Sequence, residues 1–465
     1  MEVTGYKLIQ TKTQWDKVMK KGDFTMKRLI CALLSVLMVG SLAACGSSDD
    51  KSGSEGGGQT GETKTFNWLT VRNEDSPARK AQESSIKEYI EKEGANVEVK
   101  YEVITDRPSY YQKVKILASS NELPHLFDAE GDTLTQEIAE TGVLMEVDDI
   151  YKDLDYDRML NIGLNYGRLD NGKNYCLAWE NNLEYFWYHK DLFEQAGVTK
   201  TPETFDELME VCQTLKEADI TPIAVWGNEA WPLLRWMAFI PFRLQGNDYI
   251  ESLKVGDAKM SDPVGIQAAE FFQEMAENYF MPGWSTASAS DAREAFFNGS
   301  TAIFYIGSWE VPNFTGEDRE LKDDYAYFYM PTVDGAINGQ TDMWSHAGTG
   351  TAVTKKAYED QDFKDMLKYL LNAYPEKAFY DENLYPAMTF DTTLGEMSEF
   401  DKAFLADSEA LTSYGYCWDV RMDAATTEVV TKEIVNLGMG AITPEQFAEK
   451  VDAAVAENAP KYFNK

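Results

Sequence analysis

Tryptophans set beside carboxylates and amides recur along this chain, and that pairing suits the capture of a polyhydroxylated ring. The sequence holds eleven tryptophans, and several stand beside polar groups near strand ends: Trp179-Glu180-Asn181-Asn182, Trp226-Gly227-Asn228-Glu229-Ala230-Trp231, Gly307-Ser308-Trp309, Trp344-Ser345-His346 and Trp418-Asp419-Val420-Arg421. An indole covers the flat CH face of a sugar, while carboxylate, amide and guanidinium groups satisfy its hydroxyls as donors and acceptors. The candidate contacts are therefore Trp179, Glu180, Asn182, Trp226, Asn228, Glu229, Trp231, Trp309, Trp344, Trp418 and Arg421. Asp128, Glu130 and Asp132 join them because they follow a short apolar strand, and ligands sit beyond the carboxyl ends of strands in open α/β sheets. The bland reading of these three acids is a helix cap or a solvated loop. Trp187 and Trp236 lie in apolar stretches and read as core.

Other chemistries find less support. Histidines 125, 189 and 346 lie far apart, and the five cysteines form no CxxC pair, so neither a metal nor another cofactor is expected. GxSxG, HExxH, P-loop and dinucleotide fingerprints are absent, and Gly348-Thr349-Gly350 is too short to count as one. Two alternatives remain open. An acidic, aromatic cleft would also suit a cationic solute such as a polyamine. A secreted glycoside hydrolase would need two carboxyls about 5 Å or about 6.5–9.5 Å apart, a spacing that sequence does not reveal. The reading preferred is a binding protein and not an enzyme. The net charge of −35 excludes nucleic acid and anionic lipid surfaces as partners.

The elements that must position these residues alternate between strand and helix. Lys64 to Val71 reads as a strand, Ala78 to Lys92 as a helix and Val97 to Ile104 as a strand. A helix follows over Tyr110 to Ser119, then a strand over Leu123 to Phe127. Leu183–His189, Thr221–Val225 and Ser300–Ile306 are further strands, and Lys355 onward is mainly helical. The pattern predicts an α/β fold with largely parallel sheets.

The N-terminal region reads as an address. Met26-Lys27-Arg28 precedes an apolar run, Leu29 to Val39, too short to span about 30 Å of hydrocarbon but suited to a signal peptide. Leu42-Ala43-Ala44-Cys45-Gly46 resembles the bacterial lipobox, which implies lipidation of Cys45. Residues 46–63 carry no hydrophobic side chain and read as a flexible tether. Residues 1–25 fit no secretory pattern, and translation from Met26 is the expectation.

Four stretches carry a resemblance across residues 64–465. They are Lys115–Ser119 with Leu123-Pro124-His125-Leu126 and Gly142-Val143-Leu144; Gly172–Tyr175 through Tyr188–Gly197; Pro202–Leu208 with Thr221-Pro222-Ile223-Ala224; and Phe297–Gly307 with Ser308-Trp309. Together they resemble the extracellular solute-binding proteins of family 1, the maltose-binding-like receptors of ABC importers. His125, His189 and Phe205 replace the family's usual Asp, Asn and Trp, at packing or capping positions. The resemblance implies a two-lobed periplasmic-binding-protein-like fold of type II, with the ligand cleft between lobes. It places lobe 1 at 64–179 plus 301–346 and lobe 2 at 183–300 plus 347–465. Chain crossings would fall near Trp179–Asn182, Ser300 and His346–Gly350, with Gly348 and Gly350 able to absorb hinge rotation. It also implies a monomeric, extracytoplasmic receptor, held to the cell membrane only by its lipid, that passes a small solute to permease subunits.

Overall fold

The computed structural model describes residues 63–229 and 231–463. The expected signal peptide, Cys45 and residues 46–62 of the expected tether lie outside them. No helix among the described residues is long and apolar enough to cross a membrane.

The first sheet is built on β1 (Lys64–Thr70), which pairs in parallel with β2 (Val97–Val103) and β3 (Leu126–Ala129). Helices Pro77–Glu93 and Arg107–Ser120 make the crossovers, as parallel neighbours require. Along β1, Phe66 and Trp68 face one apolar layer and Leu69 faces the other, the period of two expected of a strand.

The second sheet centres on β4 (Asn182–His189), seven of whose eight residues are buried. Such burial explains its near-continuous run of aromatic and aliphatic residues. β4 pairs antiparallel with β6 (Thr301–Gly307), β7 (Tyr325–Phe328) and β8 (Met343–His346). β5 (Thr221–Ala224) lies parallel to β6, and the two-residue β10 (Tyr414–Gly415) parallel to β8. This sheet is therefore mixed, not largely parallel. β9 (Gly350–Val353) returns to the first sheet, antiparallel to β3.

These pairings correct the expected partition. Residues 301–346 belong with β4 and β5, because β6 lies between those two strands and its side chains fill the second core. Ser300 is accordingly no crossing; it joins the helix Ala289–Phe297 to β6 within one lobe. Residues 350–376 belong instead to the first lobe, through β9 and the helix Gln361–Glu376, which buries Phe363, Met366, Leu367 and Leu370 in the first core. The lobes are joined at Glu180–Asn182, at Ala347–Thr349 and near Tyr385. At the last, the Asn181 amide donates to the Tyr385 carbonyl at 2.8 Å and the Ala387 amide to the Trp179 carbonyl at 3.0 Å. Leu384 packs into the first core and its neighbour Tyr385 into the second.

The three departures from the family pattern are accommodated locally. His125 Nδ1 accepts from the Asn67 amide at 2.9 Å, His189 Nε2 lies 2.7 Å from the Phe296 carbonyl, and Phe205 stacks on Phe239.

Candidate functional site

A cavity of about 250 Å³ opens where the two lobes and their crossings meet. Its first-lobe wall is made by Arg72, just past the carboxyl end of β1, and by Glu130, past the end of β3. Its second-lobe wall carries Trp231 and Arg235, on the helix Trp231–Gln245, and Trp309 after β6. Glu180, Asn182, His346, Gly348 and Thr349 of the crossings close it at the hinge, and Tyr166, Cys417 and Asp419 complete it.

The polar groups of this pocket are locked to one another. Arg72 Nη1 donates to Asp128 at 3.2 Å and Nη2 to Glu180 at 3.1 Å, so one guanidinium ties the first sheet to the first crossing. Arg107 donates to Glu130 at 3.1 Å and to the Thr349 hydroxyl at 2.9 Å. Burial pushes the Glu130 carboxyl up, but Arg107 and Thr349 outweigh it and hold the group below its ordinary value. Arg235 Nε lies 3.1 Å from Glu184 and its Nη1 lies 3.3 Å from Asp419, while His346 Nε2 lies 3.3 Å from Glu184. For Asp419 the balance tips the other way: burial raises its pKa more than Arg235 lowers it. Burial pushes the Cys417 thiol up to about 12, which keeps it protonated.

The aromatic surface is a corner. Trp231 meets Trp309 edge to face at 6.1 Å, Trp226 braces Trp231 at 5.1 Å, and the Arg235 guanidinium lies over the Trp231 ring at 5.2 Å. Trp231 and Trp309 are only half-buried, unlike the tryptophans behind them. His346 packs against Trp309 at 5.2 Å.

A second pocket of about 530 Å³ adjoins the first and shares Arg107, Glu130, Trp231 and Asp419 with it. Tyr111, Asp132, Asn228, Glu229 and Thr427 are among its walls. Asp132 also caps the helix Thr133–Glu140 by accepting from the Thr135 amide at 2.8 Å; burial raises its pKa to about 6.

Of the residues singled out in the sequence, Glu130, Glu180, Asn182, Trp231 and Trp309 line the inner pocket. Asp132, Asn228 and Glu229 line the outer one. Six others face neither pocket. Asp128 is 2% exposed and accepts from Trp68, Thr70, Val71 and Arg72, so it organises the floor without reaching the cavity. Trp179 is buried beside Trp68 and donates to Thr351; Trp344 packs on Phe239 and Phe242; Trp418 packs on Tyr249. Trp226 stands one layer behind Trp231. Arg421 turns away to Glu251 and the Arg168 carbonyl.

Sequence reasoning missed Arg72, Arg107, Tyr166, Arg235, His346, Thr349 and Asp419 as pocket residues. Arg72 was findable by the same strand-end rule that selected Asp128. Arg235 sits within an apolar helical stretch, where a charged residue needs a buried partner, and that was the signal.

Residues 76–374 match the family model of the bacterial extracellular solute-binding proteins. The diacetylchitobiose binding protein DasA of Streptomyces coelicolor is 26% identical over 355 residues, 75% of this chain and 79% of that protein. The multiple sugar-binding protein of Streptococcus mutans is 27% identical over 218 residues, 45% of this chain and half of its own length. Among solved structures, a chitin oligosaccharide binding protein aligns with a TM-score of 0.75 at 22% identity, covering 86% of this chain and all of that one. The GacH receptor of Streptomyces glaucescens, solved unliganded and with acarbose, aligns with a TM-score of 0.66 at 18% identity, covering 86% and 99%. At such identities the structural likeness establishes the two-lobed fold.

Proposed function

Because this chain belongs to the bacterial extracellular solute-binding proteins, we propose that it is the receptor of an ABC importer and that its cleft holds a carbohydrate. The observation that carries the reading is the half-buried Trp231–Trp309 corner facing a wall of preorganised arginine–carboxylate pairs. The corner offers π faces for sugar CH groups, and the pairs offer fixed donors and acceptors for hydroxyls. That two relatives carry sugar-binding names accords with it. Closure of the lobes on the solute would present the closed form to the permease.

The cationic alternative loses ground at the same place. Glu130, Glu180 and Asp419 each sit within 3.3 Å of an arginine nitrogen, so they have little charge left for a polyamine. The family is one of solute-binding proteins, and catalysis forms no part of the reading. Anchoring through a lipid on Cys45 completes it; Cys45→Ser should move the protein from the membrane fraction to the medium. The central test is a thermal-shift screen of saccharides and amines, because a ligand that binds only the native state raises apparent stability by mass action. One saccharide class should stabilise the protein without turnover. Stabilisation by amines alone, or product formed from the sugar, would overturn the reading.

A further inference from the structure

Two basic side chains of the second lobe reach across to a turn of the first. Lys254 lies on the helix Asp248–Val255 and Arg421 on the short helix Trp418–Arg421, and both helices pack in the second core through Tyr249, Leu253, Trp418 and Val420. Facing them is the turn 168–174 of the first lobe, carried by Leu169 and Tyr175, which pack with Leu69 and Phe127 of the first sheet. Lys254 Nζ donates to Asp170 at 2.8 Å, and Arg421 Nη1 to the Arg168 carbonyl at 3.2 Å. Arg168, Asp170, Lys254 and Arg421 line neither pocket of the cleft.

Each side of this contact is held in shape without the other. On the first lobe, Arg168 donates to Asp148 at 2.8 and 3.1 Å and to the Gly172 carbonyl at 2.9 Å, which fixes the turn. On the second, Glu251 gathers both cations: it accepts from Arg421 Nε at 2.9 Å and pairs with Lys254. When the lobes part, Lys254 and Arg421 therefore keep Glu251, while Asp170, 43% exposed, is open to water. No buried charge is stranded, and stranding is what makes an ion pair hard to break. We propose that Glu251, Lys254, Arg421 and the turn at Asp170 form a reversible latch that favours the lobes-together form. The latch stands apart from the solute contacts, so it holds whether or not the solute is a carbohydrate. Every solute that binds the lobes-together form gains affinity by the same factor, and selectivity is unchanged.

The test is small-angle scattering of the purified protein with no solute added, the curves being resolved into lobes-together and lobes-apart fractions. Losing one partly exposed ion pair shifts such a ratio by up to about fivefold. Asp170→Lys also sets a cation against Lys254 and Arg421, so it should lower the ratio by about fivefold or more at low salt. Asp170→Asn adds no new charge and should shift it the same way by less. The gap between Asp170→Lys and the unaltered protein should narrow as salt rises from about 0.05 to 0.5 M, because screening weakens both the attraction and the repulsion that replaces it. Glu91→Lys makes the same charge change on the first lobe, at a residue 66% exposed and paired with Lys87 on its own helix, and should leave the ratio unaltered. An unshifted ratio in both Asp170 variants, a gap indifferent to salt, or an equal shift in Glu91→Lys overturns the latch. None of these outcomes bears on the carbohydrate reading.

Discussion

Replacing Arg235 by methionine isolates the electrostatic core of the second-lobe wall. The substitution removes a guanidinium whose Nε lies 3.1 and 3.3 Å from the two Glu184 oxygens and whose Nη1 lies 3.3 Å from Asp419. Methionine keeps an apolar stem of similar reach, so packing changes little. Glu184 is 1% exposed, and water cannot take the place of the lost partner. Breaking a buried pair from one side costs about 3–5 kcal/mol. Loss of the cation–π contact with Trp231 adds about 0.5–1 kcal/mol.

Urea unfolding followed by circular dichroism at several pH values is the assay. Burial alone would push the Glu184 carboxyl up, but Arg235 and His346 outweigh it and hold the pKa below its ordinary value near 4.5. In the native protein this carboxylate therefore contributes stability that is present above that value and lost as pH falls through the lower folded one. With Arg235 gone, burial has only His346 against it, and the folded pKa should rise above the unfolded one. The sign then reverses, and the deficit of the variant should shrink as pH is lowered from 7.5 toward about 5. Adding Glu184→Gln should recover part of the loss at neutral pH. A deficit below about 1 kcal/mol, or one indifferent to both pH and the second substitution, would refute a buried, tightly coupled pair.

Trp231→Ala should weaken saccharide binding by about ten- to a hundredfold in calorimetric titration, one to two decades being the loss of a stacking face. Gly348 has φ of +66°, and a Cβ there would stand 3.1 Å from Glu180 Cδ; Gly348→Ala should cost about 1–2 kcal/mol in urea unfolding and blunt the ligand-induced compaction seen by solution scattering. Asp132, raised by burial to about 6 from an ordinary 3.8, favours the folded state when protonated; stability from this group is full below 3.8 and lost as pH rises through about 6. Asp132→Asn keeps the helix cap and should flatten the dependence of Tm on pH over that window.

Much of the fold was legible because period and punctuation agreed. Lys64–Val71 and Val97–Ile104 carry strand patterns broken by polar loops, and their observed limits differ from those expected by one residue. Which lobe a strand joins was not legible. β6 and β9 are both short apolar runs after a glycine, and only pairing with β4 or with β3 separates them. The site divided along the same line. Trp231 and Trp309 were found because each stands next to polar or small residues where an element begins. Trp344 and Trp418 have similar neighbours, yet Phe239 and Tyr249 from distant elements cover them. Local composition shows that an indole is available; exposure is decided by tertiary neighbours that sequence spacing does not reveal.

The return of the chain to its first sheet sets an order of events during maturation. β9 and the helix Gln361–Glu376 complete a core begun almost three hundred residues earlier. The second lobe draws its central strands, β4 to β8, from one contiguous stretch, residues 182–346, so more of its pairings close over shorter loops. Until that return the first half stays partly formed with apolar surface uncovered, and the core of the second closes only when residues as far as Ala459 arrive. Neither half is a segment that a single cut could release, and a truncation anywhere before residue 376 should strand both.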